Sequence, residues 1–301
     1  MQTKNILLLL LLLPLLACNN NEITNKTESE NPPTETLNRK VVINGNPINY
    51  SAYGSGDYSL LFLHGWCINQ TYWKDQVEVL KDNYKIVTAD LPGFGNSGKT
   101  KTDWSIEAYG QDIKLLIDSL DLEKVILIGH SMSGDVILET ALDNEKVVAL
   151  VGVDNFKDVV ETVDPAVKAE MDGFLEMLQA DFTNVVMGYA QAALFLPTSD
   201  SLVVQQVLND FSSADSTIAY QSLKELINYA QKEAAQLSQL EQKLYLINSD
   251  ATPTDTAVLN AIGLNYQVVD IPQTGHYPMV EKPTEFTNLL IGVLKEVVSN
   301  D

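Results

Sequence analysis

The stretch Lys124-Val125-Ile126-Leu127-Ile128-Gly129-His130-Ser131-Met132-Ser133-Gly134 decides how this chain is read. Its first half has the length and apolar composition of a buried strand, and the small residues that follow break it at once. A strand that turns sharply into a helix lifts the residue at the bend onto a crest, and here that residue is Ser131. Small neighbours let the backbone take the strained turn, while the helix beyond it aims its N-terminal N–H groups at developing negative charge. Ser131 is therefore the candidate nucleophile, and acyl transfer is the chemistry it suits.

Outward from this crest, short β-type runs cover 40–43, 48–53, 60–63, 85–89, 124–128, 147–153, 243–247 and 266–271. The first two suit a hairpin through Asn44-Gly45-Asn46-Pro47. The later runs are almost continuously apolar and alternate with helical patterns at 106–120 and 284–298. That combination predicts a parallel sheet covered on both faces, a doubly wound α/β architecture. Between Val153 and Lys243 the apolar residues fall at helical spacing instead: Met171, Phe174, Leu175, Leu178 and Phe182 mark one helix, and Leu223, Leu226, Ile227 and Ala230 another. Residues 155–242 thus read as a helical cap inserted between core segments 39–154 and 243–301. Met171, Met177 and Met187 are candidates to line a pocket beneath it, although methionine at helical spacing usually serves as ordinary core.

A chain of 301 residues, 45% hydrophobic, can bury a large core. Its formal charge of −21 argues against a nucleic-acid partner, which requires a basic face to displace counterions. At the N-terminus, Lys4 precedes an apolar segment at 6–17, interrupted by Pro14, that is too short to span a bilayer and matches a secretory leader. The ending Leu15-Leu16-Ala17-Cys18 resembles a bacterial lipoprotein signal, which implies cleavage before Cys18 and acylation of that residue, palmitate among the chains. Several acyl chains suffice for stable membrane attachment where one does not. Loss of residues 1–17, with one lysine and no acid, takes the charge from −21 to −22 and leaves Cys67 as the only free thiol. Cys67 has no adjacent base and reads as a small buried hydrophobe. The polar segment 19–38 reads as a tether with a reach of about 25 Å. The expected location is the bacterial cell envelope, on its periplasmic or extracellular face.

Four motifs stand in order along the chain: Leu63-His64-Gly65-Trp66, Asp90-Leu91-Pro92-Gly93-Phe94-Gly95-Asn96-Ser97, the crest at 129–134, and Gly275-His276-Tyr277-Pro278-Met279-Val280-Glu281-Lys282-Pro283. Together they resemble the α/β-hydrolase superfamily, in particular its capped esterase-like members. The resemblance implies an α/β-hydrolase fold with a mostly parallel eight-stranded sheet and a helical cap. The crest departs from the common G-x-S-x-G form, with Ser133 where the last glycine is usual, but serine is small enough to keep the helix packed on its strand.

A serine hydroxyl needs a base to take its proton. Of the three histidines, His64 lies within the His-Gly turn, where hydrogen bonds can hold it, and His130 adjoins the nucleophile with its side chain directed elsewhere. His276 remains, at the place where the family keeps its catalytic histidine. The family's oxyanion hole falls on the backbone N–H groups of Trp66 and Met132. The acid transfers less directly, because the usual pattern laid on Ser249-Asp250-Ala251-Thr252 puts a threonine at its position. Asp154, at the tip of the run 147–153, is favoured as needing no register change; Asp250 is the alternative and Asp255 a more distant one.

Gly93-Phe94-Gly95-Asn96-Ser97-Gly98 matches the dinucleotide fingerprint literally, but Leu91-Pro92 separates it from its strand and no apolar helix follows. There is no H-E-x-x-H and no C-x-x-C, so neither a cofactor nor a metal is expected. The leading expectation is a lipid-anchored serine hydrolase that cleaves a small carboxylic ester through an acyl-enzyme. Alternatives on the same residues are cofactor-free haloperoxidase or perhydrolase chemistry, or lactone or carbon–carbon bond hydrolysis. An alternative of another class is a hydrolase-like ligand sensor.

Overall fold

A computed structural model describes residues 36–300. The leader at 1–17, Cys18 and the tether as far as residue 35 lie outside the described residues. Eight strands make one sheet: β1 (Thr36–Ile43), β2 (Asn46–Tyr53), β3 (Ser59–Leu63), β4 (Lys85–Ala89), β5 (Val125–His130), β6 (Val147–Val153), β7 (Lys243–Ser249) and β8 (Tyr266–Ile271), in the order β1-β2-β4-β3-β5-β6-β7-β8. β1 and β2 pair antiparallel as a hairpin, β2 pairs antiparallel with β4, and from β4 to β8 every pairing is parallel. β1 begins at Thr36, so the last three residues of the expected tether belong to the sheet, where the Asn38 N–H donates to Ser51 Oγ at 3.1 Å.

Burial explains the parallel part. All five residues of β3 and all six of β5 are buried, as expected of strands covered on both faces. The helices between them are α1 (Lys74–Leu80), α2 (Ile106–Ser119) and α3 (Met132–Ala141); α9 (Ala257–Ala261), α10 (Pro278–Glu281) and α11 (Pro283–Asn300) come near the C-terminus. α2 packs on α3, whereas α1 and α10 pack on α11, which itself touches β7 and β8. From β3 the chain first moves to β4 and then returns across to β5, so the winding direction reverses between β3 and β5. At such a switch point the strands' carboxyl ends leave a crevice, and open α/β sheets bind ligands there.

The cap comprises α4 (Pro165–Ala180), α5 (Phe182–Ala193), α6 (Ser201–Ser213), α7 (Ser216–Tyr229) and α8 (Glu233–Leu237). Phe182, expected on the first amphipathic helix, opens the second. Asp181 ends α4 with an extended φ of −151° and caps α5 by accepting from the Asn184 N–H. Of the three candidate methionines, Met171 lines a cavity, Met187 is partly buried against the core, and Met177 is 54% exposed.

Candidate active site

Sheet register brings the motif residues together. Leu63 pairs with Gly129, His130 with Val153, and Val153 with Ile247, so the turns that follow β3, β5, β6 and β7 emerge side by side. The Ser131 N–H donates to Val153 O at 3.0 Å, and the Asp154 N–H to Ile247 O at 3.1 Å. Each hydrogen bond extends the ladder one residue beyond its strand and fixes where the side chain leaves the sheet.

Ser131 has φ +52° and ψ −123°, a conformation that L-residues adopt only at a cost of about 1–3 kcal/mol and that marks functional turns. Gly129 makes the turn feasible: a Cβ there would sit 2.3 Å from Ser133 O. Ser133 is fully buried, and its hydroxyl donates to His64 O, so the serine that replaces a glycine ties α3 to the neighbouring turn. Gly134 lies against the Asn155 side chain, whose Nδ2 donates to Ser131 O at 2.8 Å.

The His64-Gly65-Trp66 turn abuts this crest, since a Cβ on Gly65 would come within 3.2 Å of Ser131 Cβ. His64 holds the turn: its Nδ1–H donates to Gly65 O at 2.7 Å and its Nε2 accepts from the Leu91 N–H at 2.9 Å. Burial keeps its imidazole below the usual histidine range. The Met132 N–H opens α3 and has no partner inside that helix. The N–H groups expected to form an oxyanion hole thus belong to the two turns that flank Ser131. The Trp66 indole donates to Ala219 O at 3.0 Å and to Ser222 Oγ at 3.2 Å, joining this turn to α7 of the cap.

His276 and Asp154 meet directly, with Nδ1 and Oδ2 2.6 Å apart. The carboxylate's other oxygen accepts from the Ser249 N–H at 2.9 Å and from Lys157 Nζ at 2.7 Å. Burial works against ionisation of Asp154, but hydrogen bonding to His276, its charge and the Lys157 ammonium outweigh it and hold the carboxyl well below the usual range. Asp250 does not approach His276 in this way. It is exposed and accepts from the Gln273 N–H at 2.8 Å, closing the loop before the histidine. Asp255 accepts from the Ala257 N–H, at the start of α9, at 2.9 Å.

The surrounding framework reaches beyond the motifs. Glu281 gathers the N–H groups on either side of His276, Gly275 at 3.0 Å and Tyr277 at 3.1 Å, and accepts from Ser199 Oγ of the cap at 2.6 Å. The His276 N–H itself donates to Leu194 O at 2.8 Å. Asn248 clamps the β6 and β7 ends by accepting from the Asn155 N–H at 3.1 Å and donating to Asn155 O at 3.0 Å. A glutamate five residues beyond the histidine and a lysine three beyond Asp154 were visible signals, but their roles depend on which loops meet. His130 lies closer to the site than expected. Its ring packs 4.8 Å from that of His276, and its Nε2–H donates to His276 O at 2.7 Å. Burial, then the proximity of His276, push its pKa down to about 3, so it stays neutral.

Ser131, His130 and His276 open on one cavity of about 320 Å³ beneath the cap. Its walls include Trp66, Phe174, Phe211 and Leu223, with no lysine, arginine or carboxylate among its lining residues. Cys67 is buried, and burial raises its thiol, so it stays protonated. The loop of the apparent dinucleotide fingerprint folds around Asp90, which accepts from the N–H groups of Gln70 at 2.8 Å and Asn96 at 2.9 Å.

A family model described as the alpha/beta hydrolase fold matches residues 58–283. The chain belongs to the α/β-hydrolase family. Among curated proteins it is similar to a soluble epoxide hydrolase of Corynebacterium sp. strain C12, 33% identical over 115 residues, which are 38% of this chain and 40% of that protein. It is also similar to a pimeloyl-[acyl-carrier protein] methyl ester esterase of Yersinia enterocolitica, 24% identical across 79% of this chain and 93% of that one. The chain spans well under half of the first curated relatives it matches, 40% and 26% of their lengths. A thermophilic esterase from Thermogutta terrifontis superposes with a TM-score of 0.74 at 20% identity, over 88% of this chain and 99% of the other, a likeness of fold.

Proposed function

We propose that this α/β-hydrolase is a serine esterase acting on uncharged carboxylic esters. Ser131 Oγ forms a bond to the ester carbonyl carbon as its proton passes to His276 Nε2. The tetrahedral oxyanion is met by the N–H groups of Trp66 and Met132. Collapse breaks the bond to the alkoxy oxygen, which leaves with the proton from His276 as the free alcohol. Water, deprotonated by His276, then attacks the acyl-enzyme, and the carboxylic acid departs as Ser131 regains its proton. Asp154 orients the imidazole and stabilises its cationic form.

The observation that carries this reading is the strained serine at φ +52° sharing an apolar cavity with a histidine whose Nδ1 is held 2.6 Å from a buried carboxylate. Two of the similar proteins are named as esterases, which supports the same class. Reaction with a fluorophosphonate, followed by peptide mapping, tests it. The expected adduct is on Ser131, and Ser131→Ala should lose labelling and at least about 10⁴-fold in p-nitrophenyl acetate turnover. Labelling of another residue, or full activity in the variant, refutes the proposal. We also propose that Cys18 is acylated and anchors the enzyme at the bacterial envelope. Growth with an alkyne palmitate analogue should label the full chain but not Cys18→Ala.

A further inference from the structure

The esterase reading leaves open which acyl groups enter, and a second hollow in the cap bears on that. It has about 310 Å³ and lies between the segment before α4, the first turns of α4 and the end of α7. Val160, Val163, Val167 and Ala230 give it a mainly apolar lining. Met171 and Ile227 line both this outer hollow and the cavity that holds Ser131. The partition between the two spaces is therefore made of side chains from α4 and α7. Met171 is an unbranched thioether with three rotatable bonds, 37% exposed, and can swing aside at little cost.

We propose that the two hollows form one bent acyl channel gated by Met171, and that the enzyme's substrates are esters of straight, uncharged fatty acids of medium to long chain. This rests on the esterase reading. The carbonyl sits at Ser131, the first methylenes fill the inner cavity, and the rest of the chain passes Met171 and Ile227 into the valine-lined chamber. Charge at the far end selects the acid. Asp158 and Asp164 border the outer chamber, while its one cation, Lys168, is paired with Asp172 at 2.7 Å. A terminal methyl group is accepted there, whereas a terminal carboxylate meets two carboxylates.

The test is a series of p-nitrophenyl esters from acetate to dodecanoate, with the suberate monoester as the charged counterpart of octanoate, on the wild-type chain and on Val167→Trp. Val167 is 47% exposed and borders the outer chamber alone, so the indole narrows that chamber from its surface side. In the wild type, kcat/KM should climb with chain length, up to about fourfold per buried methylene, and octanoate should exceed the suberate monoester at least tenfold. In Val167→Trp the ratio of dodecanoate to acetate kcat/KM should fall at least tenfold, with the thermal midpoint reporting that the variant is folded. If it is not, Val163→Leu and Val167→Leu should lower the ratio in smaller steps. Hydrolysis by Ser131 that peaks at acetate, or a ratio that neither substitution moves, overturns the channel and leaves the esterase reading standing. Absence of hydrolysis across the whole series, with no fluorophosphonate adduct on Ser131, overturns both.

Discussion

Lys157 adds a third partner to the Asp154–His276 contact. Its ammonium lies 2.7 Å from Asp154 Oδ1 while His276 Nδ1 holds Oδ2, so two partners share one buried carboxylate. Removing the lysine leaves Asp154 Oδ1 with the Ser249 N–H alone. The lysine helps to hold the Asp154 carboxyl below its usual range, so Lys157→Met should lower the thermal midpoint at neutral pH, and the deficit should shrink as pH falls below the ordinary carboxyl range and Asp154 takes up its proton. A deficit of the same size at acid and at neutral pH argues against this role. Asp154→Asn should cost up to about 10⁴ in turnover, as expected when the histidine loses its orienting acid, and Asp250→Asn within about threefold, measured as kcat/KM on one ester. That Asp154 stands at a strand tip facing the crevice was legible from the apolar run 147–153 that precedes it. Lys157, Glu281 and Asn248 were not, because each acts across a gap between loops that only the folded sheet closes. His130 shows the limit of local reasoning: its neighbour in space, the His276 loop, is 146 residues away.

At the scale of elements, the helix that carries the crest docks on the end of the cap through buried carboxyl groups. Asp135 of α3, 4% exposed, lies near Glu233 at the start of α8, and one turn on Glu139 accepts from Tyr229 Oη at 2.7 Å and Gln236 Nε2 at 2.8 Å. Burial first, then the neighbouring carboxyls, raise Asp135, and burial with the charge of Asp158 raises Glu233. Both groups therefore hold a proton more readily in the fold than in the unfolded chain. Their stabilising contribution is complete below the ordinary carboxyl pKa of about 4 and is lost as pH rises toward the folded-state value, at about 1.4 kcal/mol per unit of elevation. Asp135→Asn keeps a hydrogen-bonding group without the ionisation. It should raise the thermal midpoint at pH 8 relative to the wild type and flatten the fall in stability between pH 5 and 8. A variant that loses stability equally at both ends excludes this linkage. The parallel strands were legible from continuous apolar runs and the cap from a change of period, but this junction was not: Asp135 and Glu233 are nearly a hundred positions apart in sequence. The break between α4 and α5 at Asp181 is hidden in the sequence for another reason, since apolar spacing carries across a bend made by a single capping residue.

At the scale of the whole molecule, the balance of 40 acidic against 19 basic side chains sets a field that every substrate crosses before it meets Ser131. The cavity lining has no lysine or arginine to offset that field locally. An anionic ester should therefore be repelled on approach and find no cation within, whereas a neutral ester of the same size is indifferent to charge until it reacts. Electrostatic effects on association weaken with salt, as the Debye length shortens from ~30 Å at 0.01 M to ~10 Å at 0.1 M. For an anionic ester kcat/KM should thus rise several-fold between 10 and 150 mM NaCl, while for its neutral isostere it should change by less than about 1.5-fold. Paired measurements on the octanoate and suberate p-nitrophenyl esters separate the two contributions: the part of their difference that salt removes belongs to the approach, and the part that persists belongs to the acyl site. A difference abolished by salt would assign selection against charge to the net field alone, and Asp158 and Asp164 would have no share in it.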